Sequence, residues 1–584
     1  MKTITRAVLL VSLLAPAVAR AAVTISPRYA QVVAGQTLQF TAQGVTWQVN
    51  NANGGAAATG TISKTGLFTA PANLPKPAIA TITAVSKTDP SQTATATVTL
   101  LAHAASGHTY HVATTGSDGN DGSSGAPWRT IQHAQSKAAA GDTVLVHGGV
   151  YNEHVTFSAS GTADGYITFM SAPGEVAAVD GTGLDIPEHM WGLFTFDSAS
   201  YVIVQGFEIR NYTTASVKDV PIGIFVTGAG EGVQLVNNYV HDITTTAPTN
   251  PKKCSSNAFG ITVYGTGAPD AIDGLAVSGN EVAHLHTGCS ETLSLDGNVT
   301  NFAVVSNLVH DDDNIAIGAI GFERVSHDPT YDQARDGVIR GNNIYNITSF
   351  GNPDYGNQYA ADGIYVDGGT NIVIEQNRIH NVDLGIELAS EHKTRVSSFV
   401  TARSNIIYNG NSAGISIGGY GANRGGTDHC TVVNNTLYNN DTQQTGSGEF
   451  QIQFNATNNV FENNIAYAGP QNLLVNDFTT STPDPAVLDY NLYYAAAGAG
   501  SAKFTWQKHR YTGYSSYLTG TGLDADSPPF ADPQFIDTTN FKVGASSPAV
   551  NAGVNLGAPI DGLHDFAGVK RVIGSDIDIG ANER

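Results

Sequence analysis

Asn238-Tyr239-Val240-His241-Asp242, Asn307-Leu308-Val309-His310-Asp311, Asn342-Asn343-Ile344-Tyr345-Asn346, Asn377-Arg378-Ile379-His380-Asn381, Asn405-Ile406-Ile407-Tyr408-Asn409 and Asn435-Thr436-Leu437-Tyr438-Asn439 are copies of one motif, Asn-x-apolar-(His/Tyr)-polar. Looser copies begin at Asn280 and Asn464, and successive Asn positions differ by 42, 27, 35, 35, 28, 30 and 29 residues. A period in the twenties to forties marks a solenoid. Each step is one coil. Asn recurs because a sharp turn between strands leaves backbone groups unpaired, and its amide tolerates unusual φ/ψ while offering donors and acceptors. With coils ~4.8 Å apart, these amides can bond one another. The ladder is therefore structural. His241, His310 and His380 within it are read as turn-stacking groups, because no close His/Cys spacing points to a metal.

A second register repeats in Gly223-Ile224-Phe225-Val226, Gly260-Ile261-Thr262-Val263, Thr292-Leu293-Ser294-Leu295, Asn314-Ile315-Ala316-Ile317, Gly363-Ile364-Tyr365-Val366, Gly385-Ile386-Glu387-Leu388 and Gly414-Ile415-Ser416-Ile417. Alternation turns the aliphatics inward. Phe225, Thr262, Ser294, Ala316, Tyr365, Glu387 and Ser416 are then expected to line one outer face. Upstream, Tyr110-His111-Val112, a Gly/Asp/Ser loop, a short helix over Ile131 to Ala139 and the strand Asp142 to Val146 read as a capped first coil. Asp118 and Asp121 in that loop are either calcium ligands or turn residues.

These features together resemble the pectin-lyase-like superfamily of right-handed parallel β-helices, over roughly Tyr110 to Tyr494. Asp532-Pro533-Gln534-Phe535, Ser547 to Gly553 and Asp578-Ile579-Gly580-Ala581 resemble the tails of such proteins, which implies a segment closing the open end. Ahead of the helix, short alternating strands at Thr37 to Phe40, Val45 to Val49, Ile79 to Ile82 and Thr93 to Leu100 predict a small β-sandwich. The stretch Thr46-Trp47-Gln48-Val49, with Gly60-Thr61-Ile62-Ser63 and Gly66 to Pro71, resembles bacterial immunoglobulin-like domains. The fold class is all-β. The expected divisions are a signal peptide (1–21), an immunoglobulin-like domain (22–101), a linker (102–109), the β-helix (110–494) and a C-terminal extension (495–584).

Lys2 and Arg6 precede an apolar run from Ala7 to Ala19, and Ala19-Arg20-Ala21 offers a small-x-small cleavage site, which predicts secretion with a mature start near Ala22. That run is too short to span a bilayer. The net charge of -22 argues against nucleic acid and anionic membrane surfaces, and mildly against a polyanionic glycan. A monomer is expected. Of the three cysteines, Cys254 and Cys289 can pair and Cys430 sits at a core position.

Two coils carry dense polar side chains: Asp311-Asp312-Asp313, and the stretch from Tyr359 to Arg403. The resemblance implies an extracellular polysaccharide lyase acting by β-elimination on a uronic-acid glycan, with calcium or a basic group stabilising the enolate-like charge. Glu387, Glu391, Lys393 and Arg403 resemble in order the calcium-carboxylate, lysine and arginine arrangement of alginate and chondroitin lyases, although those place their carboxylates one residue apart and these are four apart. On that reading Lys393 is the base, Arg395 or Arg403 assists, and Asp311, Asp313 and Asp362 hold calcium. Tyr365, Glu391, His392 and Arg424 would contact the polysaccharide.

The same face supports a hydrolase. Asp367 lies one coil from Glu387 and two positions along, so ~4.8 Å and ~6.8 Å combine to roughly 8 Å, within the ~6.5–9.5 Å of inverting glycosidases. Asp296, aligned with Asp367 two coils earlier, is a third candidate. A non-catalytic glycan-binding or adhesion protein is the remaining alternative.

Overall fold

The computed structural model describes residues 23–102, 107–247 and 254–584. The expected signal peptide and its cleavage site lie outside the described residues. Among those described, strands form three long, essentially parallel sheets of 19, 12 and 13 strands, wound as a right-handed β-helix.

The inward aliphatics stack one coil upon the next. Ile224 lies opposite Ile261, then Leu293, Ile317, Ile364, Ile386, Ile415 and Phe450 follow in one column. All are fully buried. Such burial contributes on the order of 1.5–3 kcal/mol per side chain. The outward column differs from expectation at one coil: Gly318, not Ala316, lies between Ser294 and Tyr365. Ala316 precedes the strand Ile317–Ile320 and packs in the core, so the outward row, itself buried at Phe225, Thr262, Ser294, Tyr365 and Ser416, has a gap there.

The asparagine ladder runs from Asn238 to Asn491. In each rung the Nδ2 donates to the next Oδ1 at 3.0–3.2 Å. The backbone N–H donates to the same oxygen at 2.9–3.0 Å. Outside it, His310, Tyr345, His380 and Tyr408 form a ring stack with centroids 4.8, 5.3 and 4.7 Å apart. His310 and His380 are thus stacking groups within this column, while His241 stacks on Tyr239 of its own strand, with centroids 4.1 Å apart.

At the N-terminal end the helix Ile131–Lys137 covers the first coil, with Thr130 accepting from the His133 N–H. Asp118 accepts from the backbone N–H groups of Arg129 and Thr130 and from the Thr130 hydroxyl, which makes it a turn residue. At the far end the helix Tyr514–Thr521 lays Tyr517 on Phe504, centroids 4.2 Å apart. The segment beyond it does something else. Phe535 and Phe541 run back onto Tyr438 of the 12-stranded sheet, and buried Arg571 donates to the Ser404 hydroxyl.

Residues 23–102 build a five-stranded and a four-stranded sheet around Phe40, Trp47, Phe68, Ile82 and Val98. This sandwich docks on the 19-stranded sheet. Lys76 reaches Glu231 at 3.2 Å and Asp273 at 2.6 Å, and the Thr99 hydroxyl meets that of Ser278 at 2.7 Å. Cys254 and Cys289 are disulfide-bonded, and Cys430 is buried. Among the described residues no helix is long and apolar enough to cross a membrane.

Asn377→Ala removes the acceptor of the Asn342 N–H and amide and the donor to Asn405, leaving buried polar groups unpaired. Unfolding free energy should fall by about 1–3 kcal/mol, measurable by chemical denaturation.

Candidate active site

Strand Asp362–Asp367 lies beside Leu384–Ala389, with Tyr365 opposite Glu387 and Asp367 opposite Ala389. Period-two alternation sends Tyr365, Asp367 and Glu387 outward together. Asp296, at the same face two coils earlier, stands opposite Tyr264 and Ile320. Three further carboxyls arrive from connections between strands: Glu291 ahead of Leu293–Gly297, Glu323 after Ile317–Ile320, and Glu391 after Leu384–Ala389.

Two glycines shape the space. A Cβ at Gly318 would come within 3.2 Å of the Glu291 Cγ, so the gap in the outer row is where Glu291 fits. Gly368, at φ +74, would place a Cβ 2.6 Å from the Phe322 ring. Its absence lets the loop carrying Glu323 close down beside Asp367. Asp332 holds that loop by accepting from the N–H groups of Arg324 and Ser326 at 2.6 and 2.8 Å.

The carboxyls are individually tethered. The Asp367 Oδ1 accepts from the Glu391 N–H at 2.8 Å, and the Tyr365 hydroxyl donates to the Glu391 Oε1 at 3.4 Å. The Gln453 amide donates to Glu387 and to the Ser416 hydroxyl. The Glu323 Oε1 meets the His392 Nε2 at 2.9 Å. Asp296 Oδ1 and Asp362 Oδ1 are buried without a hydrogen-bond partner.

Burial and crowding raise the proton affinity of Glu291, Asp296, Asp362, Asp367, Glu387 and Glu391. Burial lifts Glu291 and Glu387 to about 7, with Glu391 adding repulsion to both. Burial also pushes Asp296, Asp362 and Asp367 well above the carboxylate range, reinforced chiefly by Glu291, Glu387 and Glu391 respectively. Glu391 rises through burial and Glu323, opposed by Arg424 and His392. The site therefore holds protons at neutral pH.

Several expected residues gather here: Asp367, Glu387, Tyr365, Glu391, His392, Asp296 and, from the start of its strand, Asp362. Others do not. Arg403 lies on the 19-stranded sheet, bonded to Glu375 at 2.7 Å and to the carbonyls of Pro559 and Ile560. It cannot assist chemistry on another face. Lys393 is exposed in the turn after Glu391, and the basic side chains acting on Glu391 are Arg424 and His392. Arg395 and Arg424 stand at the rim over Phe322 and Tyr420, 4.8 and 4.6 Å from the ring centroids. Asp311 and Asp313 sit at the corner of the 12- and 13-stranded sheets, engaged by His310 at 2.7 Å and His286 at 3.3 Å.

Asp311, Asp313 and Asp362 thus do not converge on one cation. Among the described residues, the trio with ligand atoms all within 4.8 Å of one another is Glu323, Asp367 and His392. An imidazole is foreign to the all-oxygen shell calcium takes. Glu291, Glu323 and Gln453 escaped sequence reasoning because two lie outside the period-two register and the third falls beyond its last recognised copy.

The description "Pel9A-like, right handed beta helix region" matches residues 110–262. "Uncharacterized protein YwoF" of Bacillus subtilis (strain 168) is 36% identical over 447 residues, 76% of this chain and 92% of that protein. The chain belongs to its family. Pectate lyase Pel9A is similar over 82% of this chain and 96% of its own, at 17% identity and a TM-score of 0.43. XylC in complex with xylose is similar over 81% and 98%, at 14% identity and a TM-score of 0.44.

Because folding raises the Glu387 and Glu291 pKa values from 4.5 to about 7, their stability contribution is full below the unfolded value and is lost as pH rises through about 7. The melting temperature should be higher at pH 6 than at pH 8, and Glu387→Gln should flatten that dependence. An equal slope in both proteins would refute the assignment.

Proposed function

We propose that the protein is a secreted glycoside hydrolase that cleaves a glycan across the carboxyl face, with Asp367 as general acid and Glu387 as general base. One observation carries the reading: burial holds the Asp367 proton well above the carboxylate range, while Glu387, at about 7, ionises near neutral pH on the same face and one coil away. Asp367 gives its proton to the glycosidic oxygen as the C–O bond breaks. Glu387 takes a proton from the water that attacks the anomeric carbon from the opposite side. The proton lost by water ends on Glu387, and the leaving sugar departs as an alcohol.

Substrate charge follows from the same crowding. A uronate would add a further negative charge to a cluster already too crowded to ionise fully, and the arginines lie at its rim, so a neutral glycan is favoured. Elimination would need a base near the reacting carbon, and Lys393 points to no such role from its exposed turn. The expected export signal, together with the Cys254–Cys289 bond, supports an oxidising destination outside the cytoplasm.

Purified protein incubated with neutral and acidic polysaccharides should release reducing ends without absorbance from unsaturated uronate. Glu387→Gln and Asp367→Asn should each slow the rate by about 10²–10⁴-fold, and Lys393→Ala should not. The rate should fall as pH drops below about 7, where Glu387 takes up the proton that a base must lack. Unsaturated products that vanish in Lys393→Ala, or on chelation, would replace hydrolysis by elimination.

A further inference from the structure

A cleft of about 900 Å³ opens at the corner between the 12- and 13-stranded sheets, and it shares no lining residue with the carboxyl face. That volume is in the range of small-molecule sites. Asp311, Asn346 and Asn381, the last residues of the motif in three successive coils, line it. Their side chains form a second, outer ladder: the Asn346 Nδ2 donates to the Asp311 Oδ1 at 3.0 Å, and the Asn381 Nδ2 to the Asn346 Oδ1 at 3.5 Å.

Phe350 also lines the cleft. It is 47% exposed, and its ring stacks on Tyr359 with centroids 4.9 Å apart and planes 17° from parallel. An aromatic plane left facing water, yet held in place by a second ring, marks a binding surface more than a folding contact. Asp312 forms the buried floor: it is 4% exposed, its Oδ1 takes the Leu285 N–H at 2.9 Å, and burial leaves its carboxyl protonated beside the Thr292 hydroxyl.

An apolar plane beside closely ranked amide and carboxylate groups matches a pyranose, which offers C–H groups on its faces and hydroxyls around its edge. Charge narrows the class. The lining includes three aspartates and, among the described residues, neither Lys nor Arg. Asp313 is already engaged, its Oδ1 by the Thr287 N–H at 2.7 Å and its Oδ2 by the His286 Nδ1 at 3.3 Å. Uronate and sulfated units would be repelled by Asp311 and Asp313, whereas neutral hydroxyls can donate to Asp311.

We propose that this cleft is a second saccharide site that holds a neutral glycosyl unit on Phe350, away from the carboxyl face. The inference goes beyond the hydrolytic reading and needs no chemistry at Glu387.

The test is calorimetric titration of the full mature protein, carrying Glu387→Gln to stop turnover, with cello-, xylo-, manno- and galacto-oligosaccharides and with oligogalacturonate. At least one neutral oligosaccharide should bind, and Phe350→Ala should weaken that binding by about tenfold, with Phe350→Tyr retaining it. Asp311→Asn should weaken it as well. Phe350 is exposed, so the melting temperature of Phe350→Ala should match the parent's and exclude misfolding. Absence of neutral binding, binding indifferent to Phe350→Ala, or preference for oligogalacturonate would each overturn the proposal. Phe350-dependent binding, together with no hydrolysis of any glycan by the parent protein that retains Glu387, would refute the hydrolase and leave this site standing.

Discussion

Coil-to-coil hydrogen bonding in a single register is the constraint on which the rest of the molecule depends. A one-residue slip in any coil would turn its aliphatics outward and its carboxyls into the core. The asparagine ladder guards against that slip at the turn, because each amide has one position in which it meets both its neighbour and the backbone. Coil length is then free to vary. Steps between ladder residues range from 27 to 42, and the surplus enters loops that leave the strands untouched. The loops carrying Glu323 and Phe350 are such surplus.

That rigid frame permits an arrangement no small domain would tolerate. Carboxyls including Glu291, Asp367, Glu387 and Glu391 crowd one face, and their burial and mutual repulsion hold protons that water would otherwise remove. Each raised pKa is a cost to the folded state at high pH. The continuous aliphatic core offsets it, since every coil adds its own column of buried contacts. Proton storage at neutral pH is what acid catalysis requires.

The appended segments fall on the other two sheets. The N-terminal sandwich lies against the 19-stranded sheet through Lys76 and Thr99, and the returning C-terminal segment packs on Tyr438 of the 12-stranded sheet. The carboxyl face belongs to the third. Packing of this kind gives both segments a role in covering apolar and polar groups of the helix, independent of any spacing or adhesive role.

The amino-acid sequence by itself determined the coil, its period, the inward columns and the turn ladder, because each rests on local alternation and on an amide repeated at one point. It also brought forward Asp367, Glu387, Tyr365 and Glu391, which lie on or just after strands whose register is plain. Only the tertiary structure decided which charged groups share a face. Arg403 was near Lys393 in sequence and belongs to a different sheet, since a coil turns through three sheets within about thirty residues. Glu323 was far from Asp367 in sequence and closes on it, since Gly368 leaves room for Phe322 to pack there. Local periodicity reports the direction of a side chain within its own strand; the meeting of loops depends on van der Waals space between coils, which no single stretch of sequence records.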